Sequence, residues 1–542
     1  MMQLTSPVDH PARNGEALPA SRIPLGHIDW DGSTPSNDRV MMRSPLANRH
    51  RITRDQYVRI DDPLRSRTGF LGRIISGPFF FHSGPTSTGS YAPSDDGPDA
   101  DIDVVCEIEL HGELVDGRPR SSTSRPLSQA VVHELTTEEV AGMLGFSGDM
   151  ILGEISGQAG IRFRLQSKNK GVLPRNLGIF GTVGSGKSNT SQVLIEEASA
   201  NGWAVVVVDV ESEYVDMDAV SEEHSLFADL ARFDKQPAGL PDFHVHYPAS
   251  CTSERERSQP FALRLADFES GVIAEILQTS VAERNALLDC IENLQTRART
   301  KLLTREADDL EPLLDPSPQA KLAFTLRTLR DRAAERSSRS TEFFDYTGLS
   351  TKLMWLMQSG AFDLPNMRSL DLQEMLKPGR VSIIDVSMAN DVVKNLVTAD
   401  LLRKSFAYKV AHEDAPRTLL VIEEAHSFIS REKAQTMQAT VQMLRNVSRR
   451  GRKRWLALAF ISQQPGHLPP EIFELCNTRI VHTLRSMHNL EVLMTTSGDV
   501  GREMWDRCPL LGAGEAIVTS PQLKRPVVVT IRPASSQRRH VR

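Results

Sequence analysis

GTVGSGKS, residues 181–188, is the stretch that decides the fold of this chain. It fits the pattern G-x-x-x-x-G-K-[ST], in which backbone N–H groups and a lysine surround the phosphates of a nucleotide. The preceding NLGIF (176–180) predicts a short buried strand, and the following NTSQVLIEEA predicts a helix. Because a strand and a helix flank the loop, a nucleotide-binding α/β core is favoured over a chance match on a glycine-rich turn.

Each residue type in this loop has a physical role. The glycines let the backbone turn tightly and present N–H groups to phosphate oxygens, at the positive end of the following helix. We predict that Lys187 binds the β- and γ-phosphates of ATP and that Ser188 is a ligand of Mg²⁺. The complete predicted nucleotide site is Gly181, Thr182, Val183, Gly184, Ser185, Gly186, Lys187, Ser188 and Asn189.

The composition is that of an ordinary globular protein, with 40% hydrophobic and 24% charged residues. Its 542 residues allow several domains, and the net charge of −6 gives no overall basic signature of nucleic-acid binding. The five cysteines form no C-x-x-C pair, which disfavours a zinc ribbon. No apolar run approaches ~18 residues and no signal core is present, so we expect a cytoplasmic protein without a membrane span.

Strand-like and helix-like patterns alternate after the loop. The strand-like runs are WAVVVVDVESEY, GRVSIIDVS, RTLLVIEEAHSFI, WLALAFISQQP and NTRIVHTLRS. Continuous apolar runs of this kind are typical of parallel strands that are buried on both faces. The alternation therefore predicts a doubly wound, mainly parallel α/β sheet.

Changes in composition along the chain predict five segments. They are a poorly ordered N-terminal segment with at most one or two strands (1–65), a small β-barrel or sandwich (66–166), the nucleotide-binding core (167–270 and 346–520), a helical insertion (271–345), and a C-terminal strand with a basic tail (521–542). The barrel is predicted from short β-like runs between turn residues, and the insertion from long helix-favouring runs broken at DPSP (315–318).

Carboxylates follow two of the apolar runs. ATP hydrolysis needs one carboxylate in the metal shell and another that orients the attacking water, and successive strand residues point in opposite directions. We predict that Glu423 belongs to the Mg²⁺ shell and that Glu424 activates water; the alternative is an acidic pair that serves only a helix dipole. Asp209 and Glu213 either line the same sheet edge or belong to a polar loop.

Further polar candidates lie near the end of the core. Gln463 either contacts the γ-phosphate or attacking water, or belongs to a strand-end turn. RNVSRRGRKR (445–454) has six basic residues in ten. Its Arg449 either contacts DNA phosphates, completes a neighbouring subunit's nucleotide site, or is simply solvated. Arg479 is a weaker candidate for charge sensing, and His426 is favoured as a local hydrogen-bonding residue.

Taken together, LPRNLGIFGTVGSGKSN, VVVVDVESEY, RVSIIDVS, LLVIEEAHSFI, RRGRK, ISQQP and CNTRIV resemble the HerA family of hexameric ATPases, relatives of the FtsK-type DNA translocases. The match covers roughly residues 66–535, although DVESEY departs from a DPHGEY-like loop. The resemblance implies a RecA-like P-loop core, an N-terminal HAS-type barrel, a helical insertion, a homohexameric ring around double-stranded DNA, and a C-terminal segment that crosses toward a neighbour.

The same resemblance assigns roles to individual residues. Lys187 and Ser188 bind nucleotide and metal, and Glu424 is the catalytic base. Gln463 is the sensor, and Arg449 is the finger that acts on a neighbouring subunit. The resemblance also implies a partner in trans, either a nuclease such as NurA or another effector such as a sirtuin-like enzyme.

Two functions share this site and stay open. One is an ATP-driven DNA translocase or helicase motor in DNA end processing or phage defence. The other is a nucleotide-gated ring scaffold that recruits and activates an effector without processive translocation. A secretion-type coupling ATPase is disfavoured because no membrane anchor is predicted.

Overall fold

The computed structural model describes residues 23–29, 38–62, 69–82, 102–121, 124–144, 146–158, 160–303, 324–428, 438–498 and 500–539. The chain divides into two compact units. The N-terminal unit comprises Met1–Leu144 and Gly157–Ile161, and the core unit comprises Gly145–Ser156 and Arg162–Arg542. None of the helices in these described ranges has both the length and the apolar character needed to cross a membrane.

The N-terminal unit is an antiparallel β-barrel. Its elements are β1 (Pro24–Asp29), β2 (Arg39–Pro45), β3 (Tyr57–Asp61), β4 (Gly69–His82), β5 (Ile102–Val115), β6 (Arg118–Arg120), β7 (Val131–Glu134) and helix α1 (Thr137–Leu144). The strand order is β2-β1-β7-β3-β4-β5-β6, and an additional pairing between β2 and β5 closes the sheet. Alternate residues of β5 point into an apolar core that contains Val104, Cys106 and Ile108. The predicted barrel is therefore confirmed.

The prediction that residues 1–65 are poorly ordered is wrong for the described part of that segment. Three barrel strands, β1, β2 and β3, lie within it and pair with their neighbours. The strands are only five to seven residues long. Their alternation of buried and exposed residues is hidden in a sequence rich in Pro, Ser, Asn and Arg.

The core unit contains a large mixed sheet. Its strands are β8 (Met150–Ile155), β9 (Arg162–Leu165), β10 (Leu177–Phe180), β11 (Ala204–Asp209), β12 (Phe243–Pro248), β13 (Gln259–Phe261), β14 (Val381–Asp385), β15 (Thr418–Ile422), β16 (Leu456–Ser462), β17 (Thr478–Val481), β18 (Glu515–Thr519) and β19 (Val527–Ile531). The order is β13-β12-β14-β11-β15-β16-β10-β17-β18-β19-β8-β9. Pairing is parallel from β13 to β17 and antiparallel from β17 to β9.

Helices pack against this sheet. They are α2 (Lys187–Ala200), α3 (Phe227–Ala231), α4 (Ser270–Ile276), α5 (Val281–Leu303), α6 (Leu326–Glu335), α7 (Tyr346–Gln358), α8 (Leu372–Met375), α9 (Asp391–Ala411), α10 (Ala425–Phe428), α11 (Gln438–Arg450), α12 (Pro470–Leu475), α13 (Met487–Thr496) and α14 (Arg502–Arg507). The predicted RecA-like P-loop core with a mainly parallel sheet is confirmed. The five strands that position the site, β14, β11, β15, β16 and β10, are fully buried.

Three details differ from the sequence-based segments. β8 and β9 extend the core sheet next to β19, so the predicted barrel limit at residue 166 is too late. The helical insertion does not end at 345, because α7 continues to Gln358 and contributes to the same apolar core as the sheet. The predicted break at 315–318 lies outside the described residues. The resemblance implies a C-terminal segment that crosses toward a neighbour, whereas residues 532–539 contact their own core unit.

Candidate nucleotide-binding site

The glycine-rich loop joins β10 to α2 and needs glycine at specific points. Gly184 and Gly186 have φ values of 74° and 111°, in the left-handed region that favours glycine. A Cβ atom on Gly181 would lie 2.5 Å from Oγ of Ser185 and 2.7 Å from Cβ of His482. The loop therefore has the tight geometry that brings backbone N–H groups toward a phosphate.

Lys187 carries the positive charge of the loop. Its side chain is largely buried, and Nζ donates to the carbonyl oxygen of Thr182 at 3.0 Å. Burial lowers the pKa of Lys187, and the negative charges of Glu424 and Glu213 oppose that shift. The cation that would bind phosphate thus lies within electrostatic range of carboxylates from two other loops.

Asp209 and Glu423 form a buried carboxyl pair at the ends of the adjacent strands β11 and β15. Desolvation raises the pKa of Asp209 to about 7 and raises that of Glu423 well above its usual range. Asp209 also accepts hydrogen bonds from the backbone N–H groups of Glu213 (3.2 Å) and Tyr214 (2.9 Å), which favour its charged form. Glu423 therefore holds the shared proton and donates it to Asp209.

The residues predicted to hold Mg²⁺ fit a water-rich shell. Ser188 lies in the first turn of α2 and is half-buried, and Oε2 of Glu423 accepts from the backbone N–H of Val210 at 3.2 Å. A nearby divalent cation would favour the charged form of Glu423. No cluster of three or more His, Cys, Asp and Glu side chains suited to a metal occurs in the described ranges. One hydroxyl and one carboxylate are oxygen donors of the kind that Mg²⁺ accepts beside water and phosphate.

Glu424 lies in the turn after β15 with a strained backbone. Its φ is 43°, a conformation that costs roughly 1–2 kcal/mol in a residue other than glycine and is typical of functional sites. Its Oε2 is 3.0 Å from Nδ1 of His426 and 3.5 Å from the backbone nitrogen of Gln463. Oγ of Ser462 is 3.2 Å from the same nitrogen of His426. The structure thus brings the predicted base and the predicted sensor together.

The strand order sets the distance between the loop and these carboxylates. β16, whose last residue is followed by Gln463, lies between β10 and β15. Neighbouring strands are about 4.8 Å apart, so the ends of β10 and β15 are separated by about 10 Å. Lys187 and Glu424 therefore lie on either side of the strand end that Gln463 follows.

The two arginine candidates have different surroundings. Arg449 is exposed at the carboxyl end of α11, which leads into the start of β16. It therefore lies at the sheet edge opposite to Gln463 and to the phosphate loop of its own chain. Arg479 is buried on β17 and donates to the carbonyl oxygens of Cys476 (3.1 Å) and Phe473 (2.8 Å), among other contacts. These contacts favour a structural role for Arg479 over charge sensing.

Asn189, predicted to bind nucleotide, holds the C-terminal segment with its side chain. Its Nδ2 donates to the carbonyl oxygen of Arg532 at 2.8 Å, and its Oδ1 accepts from the backbone N–H of Ala534 at 2.9 Å. Both polar atoms of the amide are therefore engaged. Any contact of Asn189 with nucleotide would therefore be made by its backbone, and its place in the nucleotide site stays a prediction.

His482 was not predicted from the sequence, yet it supports the loop from β17. Its Nδ1 lies 2.9 Å from the carbonyl oxygen of Glu515 and therefore donates, while Nε2 lies 2.8 Å from Oγ1 of Thr190 and accepts. Desolvation lowers the pKa of His482 to about 4, so the ring is neutral at physiological pH. A lone histidine after an apolar run gives no sequence signal for such a role.

The fold and the site define this chain as a P-loop NTPase with a RecA-like core. Residues 151–405 match the family model described as "Helicase HerA, central domain", so the predicted likeness to the HerA family is confirmed.

Individual relatives are distant but extensive. The chain is 21% identical to the DNA double-strand break repair helicase HerA of Saccharolobus solfataricus over 80% of this chain and 77% of the relative. It is 20% identical to a probable helicase of Methanocaldococcus jannaschii, over 73% of each chain. The structure of VirB4 of Thermoanaerobacter pseudethanolicus matches with a TM-score of 0.50 and 19% identity, covering 72% of this chain and 97% of that one. This last likeness shows the fold alone.

Proposed function

We propose that this chain is an ATPase that moves double-stranded DNA through a homohexameric ring. One observation carries the proposal. Lys187 of the phosphate loop, the carboxylates of Glu423 and Glu424, and Gln463 all follow the carboxyl ends of parallel strands at one edge of the core sheet. This is the set of groups that phosphoryl transfer to water requires.

In this mechanism each side chain has a separate task. The loop N–H groups and Lys187 hold the β- and γ-phosphates, and Glu424 accepts the proton of the attacking water, a step that contributes roughly 10²–10⁴-fold. His426 fixes the orientation of the Glu424 carboxylate through their 3.0 Å contact. Gln463 responds to the terminal phosphate. Ser188 and Glu423 would hold Mg²⁺, whose bound form neutralises the charge that develops on the phosphates.

The position of Arg449 supports assembly into a ring. An exposed arginine at the far sheet edge cannot reach the nucleotide of its own subunit, whereas it is free to complete the site of a neighbour. The relative from S. solfataricus is named as a DNA double-strand break repair helicase, which supports DNA as the transported polymer. A nuclease or another effector in trans, NurA-like or sirtuin-like, is part of the proposal through the HerA likeness alone.

ATP turnover with and without linear duplex DNA tests this proposal. We expect duplex DNA to stimulate the wild-type protein severalfold, and Lys187→Ala and Glu424→Gln to remove turnover in both conditions. Glu413→Gln is the matched control, because Glu413 is exposed after α9, at the opposite edge of the sheet. Turnover that no nucleic acid changes would contradict a DNA motor.

Directional displacement of a protein roadblock from the same DNA separates the motor from the alternative scaffold. A motor removes the block only while ATP is hydrolysed. A ring that hydrolyses ATP and activates an effector but leaves every roadblock in place would instead be the nucleotide-gated scaffold.

A further inference from the structure

The C-terminal segment, residues 532–539, is anchored on α2, the helix that follows the phosphate loop. The guanidinium of Arg532 is buried and donates to Glu196 (2.9 Å) and Glu197 (3.0 Å). The other oxygen of the Glu196 carboxylate accepts from both backbone N–H groups of Ser535 and Ser536 and from the Ser536 hydroxyl, each at 2.8 Å. These buried, charge-assisted contacts fix the first half of the segment.

The second half reaches the loop after β11. The backbone N–H of Gln537 donates to the carbonyl oxygen of Ala219 at 2.9 Å. Two nitrogens of Arg539 contact the carboxylate of Asp216, Nε at 2.8 Å and Nη2 at 3.2 Å, and Nη1 contacts Glu254 at 3.0 Å. A fork of this kind sets orientation as well as distance. Arg539 therefore holds residues 210–219 against the C-terminal segment.

Glu213 lies at the centre of that loop and is held from both sides. Its backbone N–H donates to Asp209 at 3.2 Å, and its carbonyl oxygen accepts from the backbone N–H of Arg539 at 3.2 Å. Its Oε2 atom is buried and has no hydrogen-bond partner within the described part of the chain. The charge of Glu213 acts on Lys187. Since a buried carboxylate oxygen without a donor is unfavourable, a water or ligand in the nucleotide site is its natural donor.

We propose that Arg539 is a positioning residue for Glu213, and that the C-terminal segment thereby aims a third acidic side chain at the bound nucleotide. This inference rests on the proposed ATPase function. Arg539 itself touches neither the phosphate loop nor Lys187 in the contacts described above. It acts through the backbone of Glu213 and the carboxylate of Asp216.

The weakness of the Arg539 ion pairs distinguishes the positioning of Glu213 from simple anchoring of the C-terminal segment. The Arg539 side chain is 25% exposed, and partly exposed ion pairs contribute little to stability. Arg532, Ser535 and Ser536 remain in place without it, so the segment stays docked. A change at Arg539 should therefore alter turnover much more than it alters folding.

Three variants test the inference. We expect Arg539→Ala to lower turnover at saturating ATP about tenfold, since small misplacements of catalytic groups are costly. Affinity for a fluorescent ATP analogue should change less than about twofold and the melting temperature by only about 2 °C. Arg539→Lys should restore part of the turnover. Arg525→Ala, an exposed arginine in the turn between β18 and β19 at the opposite sheet edge, should behave as wild type.

A double-mutant cycle connects the effect to Glu213. If Arg539 acts through this carboxylate, Arg539→Ala combined with Glu213→Gln should turn over no more slowly than Glu213→Gln alone. Full additivity of the two losses would overturn the proposal, as would equal losses of nucleotide affinity and turnover.

Hydrogen exchange gives a readout that does not depend on activity. Backbone amides of residues 210–219 should exchange faster in Arg539→Ala than in wild type or Arg525→Ala. Unchanged exchange of the amides in residues 210–219 would refute the proposal that Arg539 holds this loop. A wild-type protein without ATPase activity would instead contradict the proposed function, and the exchange data would still decide whether Arg539 holds the loop.

Discussion

Oε2 of Glu424 lies 3.0 Å from Nδ1 of His426, two residues further along the same turn. The Ser462 hydroxyl, at the end of β16, contacts the same ring nitrogen at 3.2 Å. The carboxylate that would receive a proton from water therefore contacts a histidine ring that the end of β16 also contacts. A short sequence, EEAH, thus carries both the candidate base and the side chain that orients it.

Replacing His426 with alanine should lower ATP turnover about tenfold. Without its contact to His426, the Glu424 carboxylate would sample orientations that do not face the attacking water. Affinity for ATP should stay within about twofold, since His426 does not contact the phosphate loop residues described above. Steady-state ATPase assays and equilibrium binding of a fluorescent analogue check the two values. Equal weakening of binding and turnover would mean that the ring supports the fold of the site instead.

Replacing Glu423 with glutamine should make the protein more stable than wild type at alkaline pH. The amide donates to Asp209 as the protonated carboxyl does, but it never ionises. Desolvation raises the pKa of Glu423 well above its usual range, so the contribution of Glu423 to stability is largest at low pH and is lost as pH rises toward that raised pKa.

Thermal unfolding of both proteins at pH 6 and pH 9 in metal-free buffer measures this effect. The difference between Glu423→Gln and wild type should grow with pH, while Glu413→Gln should follow wild type at both. ATPase activity of Glu423→Gln should fall if the carboxylate holds Mg²⁺. A difference in stability that is independent of pH would contradict a shared proton.

Mixing two inactive variants tests whether Arg449 acts across an interface. Rings of Arg449→Ala subunits keep an intact phosphate loop, and rings of Lys187→Ala subunits keep an intact arginine. Mixed rings should therefore regain part of the ATPase activity, because some interfaces pair an intact Lys187 with an intact Arg449. Size-exclusion chromatography verifies that each variant assembles. Absence of any recovery in assembled rings would favour DNA contact or a structural role.

Replacing Arg532 with alanine should destabilise the core unit by about 3–5 kcal/mol, because the buried carboxylates of Glu196 and Glu197 lose their shared guanidinium partner. Lys235, 2.6 Å from Glu197, compensates only one of the two carboxylates. Urea unfolding followed by circular dichroism measures the loss, with Arg525→Ala as the exposed control. A loss below about 1 kcal/mol would show that the segment adds little to the fold.

The features predicted correctly from the sequence are those that depend on neighbouring residues in the chain. The strand, loop and helix around Lys187 are contiguous, so their geometry follows from a single stretch. Glu424 and Gln463 were predicted because each follows an apolar run, and parallel strands deliver such residues to one edge. One or two strands were predicted where β1 to β3 lie, because short, polar-rich strands are stabilised by pairing with distant partners. The engagement of Asn189 by Arg532 depends on a contact across 343 residues, which no local pattern reveals.

The pairing of β8 with β19 has a consequence for how the chain folds. Glu154 lies opposite Thr530 in this antiparallel pair, so the strand made first in the core sheet adjoins the strand made last. Contacts of such high sequence separation form late, because the entropy of closing the intervening chain must be overcome first. During synthesis β8 and β9 can therefore pair only with each other until residues 527–531 have left the ribosome. Refolding should be slow, and a chain that stops before β19 should aggregate through the exposed edge of β8.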